Sequence, residues 1–443
     1  MRETPSGSKL LIFSAHALNT VMLVAVQAKK VEPVSDPNQD KNNPEPPKSM
    51  LKSTSRLVID ALISMTDVVE SMHQRISPLS KSATPVGNER GRGISGLVYN
   101  SIRSITALVG KSLDKPLALI EQQMEQSPPS QSGQALISAL NGILGDHLVK
   151  RESHLALPMT LRLDEQQLDY ETLAKSIQQS QGKLLIMVHG LCMNDVQWTH
   201  GGHNHGKNLA EEFDYARAYL RYNSGQHISD NGKAFSQVLE NAVTHALALD
   251  NSLQLEISII AHSMGGLVSR SAYHEAQTVG HSWPNYCKNL FFLGSPHHGA
   301  PLEKAGNWLD MLLGIHQYTA PLKRLTQIRS AGITDLRHGN LLESDWQTRN
   351  RFDFSRDKRT PLPLPVEVKC FALASTIAVQ ANKIADQIIG DGLVPLDSAL
   401  GRHQNKAFNL QFPAEHQWIG RDINHMQLLS HPEVYKTLRN WLA

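Results

Sequence analysis

The feature that most constrains this chain is a serine placed between a strand-like and a helix-like segment. Residues 255–260 are rich in aliphatic and β-branched side chains, and residues 267–273 have the character of a helix. Between them lies the sequence Ala261-His262-Ser263-Met264-Gly265. Small residues two positions before and two after a serine let the backbones pass closely at a sharp turn, which exposes the hydroxyl at a sheet edge. The pattern predicts that Ser263 is a nucleophile, although position 261 is alanine rather than the usual glycine.

After about residue 155 the chain alternates between strand-like and helix-like segments. The strand candidates are 184–188, 216–222, 255–261, 290–293 and 366–372. Apolar strands that alternate with helices predict a mostly parallel sheet with helices on both faces, which is an α/β fold. Ligands of such sheets bind at the carboxyl ends of the strands, and most of the motifs described below fall there.

We predict three parts in the chain. Residues 1–48 form an extension and linker, because 29–48 are polar and rich in proline, asparagine and charge. Residues 1–28 are a weak secretory signal, an anchor, or the product of a start assigned too early, with Met50 as the alternative start. Residues 49–150 show helical periodicity and form an all-α accessory region. Residues 151–443 form the α/β domain, with a lid-like or cap-like insertion near 301–365 that separates two strands.

Composition excludes several classes of protein. The net charge is +2 and no basic stripe is present, which argues against a nucleic-acid partner. Cys192, Cys287 and Cys370 are few and widely spaced, so they predict no disulfide framework and fit a reducing compartment. No apolar run has the length and purity of a transmembrane helix.

A nucleophilic serine needs a base, an acid that orients the base, and donors for the oxyanion. One arrangement has the chain order serine, acid, histidine. Asp391 lies between two glycines in a loop after the last strand candidate, and His425 lies just before the final helix. Alternatives for the acid are Asp386 and Asp397, and alternatives for the base are His416 and His431.

Two backbone N–H groups are candidates for the oxyanion hole. Leu191 follows the 184–188 strand directly, in the sequence His189-Gly190-Leu191. Met264 begins the helix after the serine, where backbone donors have no partner within the helix and the dipole favours negative charge.

Together these motifs resemble the lipase branch of the α/β-hydrolase superfamily, particularly bacterial lipases and GPI-inositol-deacylase-like esterases. The segment 294–300 is also similar to a Thr-Pro-x-x-Gly loop of those enzymes. The resemblance covers roughly residues 180–443 and leaves the 50–150 helices outside. It implies that Ser263 is the nucleophile, Asp391 the acid and His425 the base, with the Leu191 and Met264 amides as the oxyanion hole.

Other residues near these motifs are candidates for contact with the substrate: His189, Gly190, Trp198, His262, His297 and Trp308. The dense cluster His200, His203 and His205 is either a metal site or a polar loop. No cysteine or carboxylate stands nearby at ligand spacing, so we predict no metal and no cofactor.

The sequence therefore predicts a serine carboxylic-ester hydrolase that acts on a small-molecule or lipid ester, with a lipid or hydrophobic acyl group favoured. Alternatives are an acyltransferase with the same triad, or a membrane-associated interaction protein with a vestigial hydrolase domain. We expect a cytoplasmic protein or one in peripheral contact with a membrane, with export by a weak signal as the alternative. Nothing in the sequence predicts the oligomeric state.

Overall fold

The computed structural model describes residues 117–118, 120–122, 131–300, 330–347, 359–378 and 390–443. All of them belong to one compact unit that spans Thr54–Ala443. No helix within these ranges is both long enough and apolar enough to cross a membrane. The predicted extension 1–48, most of the predicted helical region 49–150, and residues 301–329 and 348–358 of the predicted insertion lie outside the described residues.

The described residues form an α/β architecture around one sheet. Its strands are β1 Thr160–Leu163, β2 Gln166–Gln167, β3 Lys183–Val188, β4 Ala216–Arg221, β5 Glu256–His262, β6 Cys287–Leu293, β7 Lys369–Thr376 and β8 Gln417–Arg421. Its helices are α1 Gln131–Lys150, α2 Tyr170–Gln179, α3 His205–Phe213, α4 Ile228–Leu249, α5 Met264–Val279, α6 Ala331–His338, α7 Ser344–Gln347, α8 Leu396–Ala399 and α9 Pro432–Leu442.

The eight strands lie in the order β2-β1-β4-β3-β5-β6-β7-β8. Strand β1 is antiparallel to β2 and β4, whereas β4, β3, β5, β6, β7 and β8 are mutually parallel. The central strands are apolar along nearly their whole length because both faces of the sheet are covered, and a separate buried cluster lies on each face. The mostly parallel sheet with helices on both faces that the sequence predicts is confirmed.

Helix α1 is part of the core of the α/β domain. Its residues Leu140 and Ile143 are completely buried and join the same cluster as the central strands. The Asn141 side chain donates to the Leu155 carbonyl at 2.7 Å and accepts from the Leu157 N–H at 2.9 Å. The predicted boundary at residue 150 therefore divides elements that pack together, and α1 does not belong to a separate accessory region.

The described portion of the predicted insertion is also packed into the domain. Helix α6 buries Ile333 and Leu336, and its Asp335 carboxylate accepts from the Ile228 N–H at 3.0 Å. The Ser330 hydroxyl donates to the Gly142 carbonyl of α1 at 2.7 Å. Residues 330–338 are thus a fixed part of the core, and the predicted lid concerns only residues outside the described ranges.

If α1 is a core helix, Leu140→Ala should lower the free energy of unfolding by about 2–5 kcal/mol, because the change leaves a cavity among the strands. Leu249→Ala is the matched control, since Leu249 is 45% exposed at the end of α4 and its truncation should cost about 0.5 kcal/mol or less. Urea unfolding of both variants measures this. Equal, small losses would contradict the placement of α1 in the core.

Candidate active site

Ser263 occupies a strained turn between β5 and α5. Its backbone has φ 55° and ψ −124°, a conformation that residues other than glycine rarely adopt. The turn is held by the Ser263 N–H, which donates to the Leu293 carbonyl at the end of β6 at 2.8 Å. A Cβ at Gly265 would lie 2.7 Å from the His189 carbonyl oxygen and closer still to that of Val188, so only glycine fits there. The sharp strand-to-helix turn predicted from the sequence is present.

Asp391 and His425 lie together on the carboxyl side of the same sheet. The His425 Nδ1–H donates to the Asp391 carboxylate at 2.7 Å, and both side chains are fully buried. The other carboxylate oxygen accepts from the N–H groups of Leu393 and Val394 at 3.0 and 2.8 Å. The Asp391 carbonyl also accepts from the His425 N–H at 3.0 Å, so the acid holds both the ring and the backbone of the histidine.

Because Gly294 has no side chain, there is room beside it for the Asp391–His425 pair. Gly294 follows β6 with φ 58°, and a Cβ there would lie 3.1 Å from both the Asp391 carboxylate and His425 Nδ1. A side chain at this position would press on the hydrogen bond that fixes the tautomer of His425.

His425 also lies next to the residue that precedes the serine. The rings of His262 and His425 are 4.6 Å apart, and the His262 Nε2–H donates to the His425 carbonyl at 3.1 Å. Within the described residues His425 Nε2 has no hydrogen-bond partner, so the Ser263 hydroxyl is not bonded to it in this structure. Such contacts are often long before a substrate binds. His425 Nε2, the nitrogen that a general base would use, is therefore available. It lies near the end of β5, next to the turn that contains Ser263.

The loop after β3 approaches the serine from the other side. A Cβ at Gly190 would lie 3.0 Å from the Ser263 Cβ, which brings the loop backbone against the turn. His189 stacks on Tyr222 at 4.3 Å, and the Tyr222 hydroxyl donates to the His189 carbonyl at 2.8 Å. Burial lowers the pKa of His189 to about 4, so its ring is neutral and fixes the loop rather than exchanging protons.

The two predicted oxyanion donors have no other role within the described residues. Neither the Leu191 N–H nor the Met264 N–H donates to another group there, and Met264 is the first residue of α5. Uncommitted backbone N–H groups are the kind of donor that stabilises a developing oxyanion, and the oxyanion hole at these two residues stays a prediction.

Helix α1 supports this loop, a contact that the sequence analysis missed. The Asn194 side chain donates to the Ser138 hydroxyl at 3.0 Å, and a Cβ at Gly142 would lie 2.9 Å from the Cys192 Cα and N. Glycine at position 142 is therefore what allows the helix and loop backbones to meet. Nothing in the sequence pattern pairs two segments that are fifty residues apart.

The histidine cluster near residue 200 anchors the segment after His425. The rings of His203 and His205 are hydrogen-bonded at 2.8 Å, and His205 Nε2–H donates to the Leu428 carbonyl at 3.0 Å. In the described part of the chain, no group of three or more histidine, cysteine or acidic side chains is placed to hold a metal. The cluster links α3 to the loop that contains His425.

The other residues predicted to contact the substrate lie in different parts of the structure. Trp198 is completely buried, with its ring 6.4 Å from that of His262, whereas His297 Nδ1 accepts from Arg270 at 3.4 Å. Trp308 lies outside the described residues. Contact of His189, Gly190, Trp198, His262, His297 or Trp308 with a substrate stays a prediction.

The alternatives for the acid and the base lie elsewhere or outside the described residues. His416 packs on Phe371 at 4.2 Å, and His431 caps the N-terminus of α9. Asp397 pairs with Arg402 at 3.8 Å on the surface, and Asp386 is outside the described residues. The structure brings none of the described alternatives to the serine turn.

Comparison with known proteins gives one family match. The model of the PGAP1-like alpha/beta domain matches residues 179–360. No curated protein matches the chain. The match begins just before β3 and includes the serine turn.

Solved structures with a similar backbone fold include three hydrolases. Bacillus licheniformis lipase BlEst2 in mature form has 16% identity and a TM-score of 0.39, over 65% of this chain and 98% of that one. Aspergillus fumigatus lipase B has 9% identity and a TM-score of 0.35, and the match covers 62% of this chain and 54% of the lipase. Phospholipase PlaB from Legionella pneumophila has 15% identity and a TM-score of 0.32, and the match covers 49% of this chain and 45% of the phospholipase.

The chain has an α/β-hydrolase fold. The match to the family model, the order and direction of the strands, and the serine turn between β5 and α5 agree on this. The superfamily resemblance stated from the sequence is confirmed, and it supports a serine hydrolase.

The buried histidines should make the protein less stable at acid pH. Burial lowers the pKa of His205 to about 3, so between pH 6.5 and 3 the unfolded chain binds a proton that the folded chain does not. Stability therefore falls as the pH falls through this window. His205→Gln should reduce the slope of unfolding free energy against pH by about 1 kcal/mol per unit between pH 6 and 5.

Denaturant unfolding at several pH values measures this slope. His245→Gln is the control, because His245 is exposed on α4 and its replacement should leave the slope unchanged. An unchanged slope in His205→Gln would mean that His205 is protonated in the folded protein.

Gly142→Ala should impair the site without touching it directly. The added Cβ would force α1 and the Cys192 backbone apart and displace the neighbouring Leu191 N–H. Loss of one oxyanion donor costs about 10²–10³ in kcat, so we expect a fall toward that range with a smaller change in KM. Cys192→Ala, which removes only the thiol and leaves the backbone in place, should retain activity within about tenfold. Equal kcat in Gly142→Ala and the wild type would show that α1 does not position the loop.

Proposed function

We propose that this protein, with its α/β-hydrolase fold, is a serine carboxylic-ester hydrolase that acts on lipid or other hydrophobic acyl esters. The observation that carries the proposal is the buried pair of Asp391 and His425, joined at 2.7 Å beside the strained turn of Ser263. A nucleophile, an acid and a base in this chain order match the requirements of acyl transfer by serine.

In the proposed reaction, the Ser263 hydroxyl attacks the ester carbonyl while His425 Nε2 takes its proton. Asp391 keeps the proton of the neutral ring on Nδ1 and stabilises the imidazolium that forms. The imidazolium then returns its proton to the departing alcohol, which leaves an acyl group on Ser263. A water molecule deprotonated by His425 attacks the acyl-enzyme and releases the carboxylic acid.

The tetrahedral intermediates place a negative charge between the loop after β3 and the start of α5. The N–H groups of Leu191 and Met264 are proposed to bind this charge. Their surroundings are buried, and a buried donor stabilises an oxyanion more strongly than one in water.

The side chains around the serine turn support an apolar acyl group as the substrate. Leu191, Met193, Trp198 and Leu428 are all at most 1% exposed, and they lie on the segments that meet at Ser263 and His425. Such walls favour a hydrocarbon over a polar or charged group. Cytoplasmic location or contact with a membrane surface stays a prediction of the sequence.

The proposal is tested with p-nitrophenyl esters of increasing acyl length. Ser263→Ala should abolish hydrolysis, and Asp391→Asn should lower kcat about 10⁴-fold because the ring of His425 is then held in the wrong tautomer. Ser271→Ala is the matched control: this serine is also buried on α5 and donates to the Leu341 carbonyl at 2.8 Å, so only stability should change.

The acyl length that gives the highest kcat/KM measures the preference for a lipid-like chain. Full activity in folded Ser263→Ala would contradict the mechanism, and no hydrolysis of any ester by the folded wild type would contradict the function. Products formed with an added alcohol distinguish hydrolysis from acyl transfer by the same residues.

A further inference from the structure

The side chain of His262 lies between the serine turn and the loop that contains His425. Its backbone belongs to β5, where it is paired with Leu293 of β6, and it directly precedes Ser263 in the chain. The side chain is completely buried. The position of His262 is therefore fixed by the central sheet, one residue away from the nucleophile of the proposed reaction.

Among the described residues, one hydrogen bond joins His425 to the strand that leads to the serine. The His262 Nε2–H donates to the His425 carbonyl at 3.1 Å, across 163 positions of the chain. The two hydrogen bonds between His425 and Asp391 fix the histidine only relative to the loop after β7. Without His262, the acid and the base would be able to shift together, so that their own hydrogen bond remained while the distance to Ser263 changed.

The His262 ring is held in one tautomer and is neutral. Its Nε2 meets a carbonyl oxygen and carries the proton, which leaves Nδ1 without a proton. Burial, with the His425 ring 4.6 Å away, lowers the pKa of His262 well below its usual value. The ring therefore holds the loop of the base without adding a positive charge, which would oppose the imidazolium that forms on His425.

Packing alone does not account for a histidine at this position. The Trp198 ring meets the His262 ring edge-on at 6.4 Å, and a Cβ at Gly190 would lie 3.3 Å from His262 Nδ1, so the site is closely packed. That Nδ1 is buried and has no partner among the described residues. A buried acceptor without a donor costs free energy, and an apolar ring in the same space would avoid this cost. The donor on Nε2 is the property that such a ring lacks.

We propose that His262 is a positioning residue that sets the place of His425 Nε2 relative to the Ser263 hydroxyl. Transfer of the serine proton needs a separation of about 2.6–3.2 Å between these two atoms. A misplacement of about 1 Å can cost about 10²-fold in rate. His262 is bonded covalently to the serine residue and by a hydrogen bond to the residue of the base, so it links the two partners directly. This inference rests on the proposed function, in which His425 acts on Ser263.

Steady-state hydrolysis of a p-nitrophenyl ester by His262 variants tests the proposal. His262→Phe keeps a buried ring and removes the donor, whereas His262→Gln keeps a neutral N–H donor of similar reach. In His262→Phe we expect kcat to fall by about 10²-fold with little change in KM, because the base is displaced and the walls of the substrate site are not. His262→Gln should recover most of this loss.

His281→Phe is the matched control for the loss of a histidine hydrogen bond. His281 is half-buried beyond the end of α5 that lies away from Ser263, and its Nδ1 is hydrogen-bonded to the Ser236 hydroxyl at 2.8 Å. Its replacement should change stability and leave kcat equal to that of the wild type.

Amide hydrogen exchange, measured by mass spectrometry on the full-length protein, tests the anchoring without turnover. The N–H groups of residues 423–429 should exchange faster in His262→Phe than in the wild type, His262→Gln or His281→Phe. If His262→Phe does not fold, His262→Asn replaces it, because the shorter amide side chain does not reach the His425 carbonyl and should give the same losses.

Wild-type kcat in a folded variant without the donor, equal losses in that variant and in His262→Gln, or unchanged exchange of residues 423–429 would overturn the proposal. The failure of the proposed function has a different signature: a folded wild type that neither hydrolyses esters nor forms a covalent adduct of Ser263 with a fluorophosphonate. In that case the exchange rates alone confirm or overturn the anchoring of His425 by His262.

Discussion

The backbone strain at Ser263 is the constraint on which the arrangement of the site depends. A non-glycine residue in this conformation costs of order 1–3 kcal/mol, so the surroundings must hold it there. The hydrogen bond from Ser263 to β6 and the close contact of Gly265 with the end of β3 do this, and both require the sheet order that is observed. Fold and site are thus coupled: β3, β5 and β6 must be adjacent and in register before the serine can be exposed at their common edge.

Buried histidines connect the loops that meet at this edge. His262 donates to the His425 carbonyl and His205 to the Leu428 carbonyl, while the His189 ring contacts the Gly190 carbonyl at 2.8 Å. Each ring is kept neutral by its burial, so it can hold a backbone carbonyl without bringing a charge into the core. His425 differs because its Nδ1–H is held by the Asp391 carboxylate, while its Nε2 has no partner within the described residues and is available for chemistry.

Much of this could be predicted from the sequence because the relevant patterns are local. The strand before Ser263, the small residues around it, and Asp391 between glycines are each recognisable within a few residues. The strand predicted at 366–372 begins later, at Lys369, because Val366 is 95% exposed and apolar character alone did not show where pairing starts. Strands β1, β2 and β8 were missed, since they are short and carry no clear alternation of apolar and polar residues.

Helix α1 shows where local patterns stop being informative. Its periodicity marks an apolar face, but periodicity does not say which element covers that face, so the contact of Gly142 with Cys192 was not foreseen. The contact of Arg270 with His297 was hidden for the same reason. Arg270 reads as an ordinary polar position on a helix until the fold places His297 and Arg359 against it.

The position of α1 in the chain also has a consequence for the order of folding. This helix leaves the ribosome before any strand of the sheet, and its apolar face has no partner until later segments arrive. Its carbonyl at Gly142 accepts from the Ser330 hydroxyl, which lies 188 residues further on. The contacts that hold α1, and through it the loop after β3, are therefore completed only when most of the chain has been made.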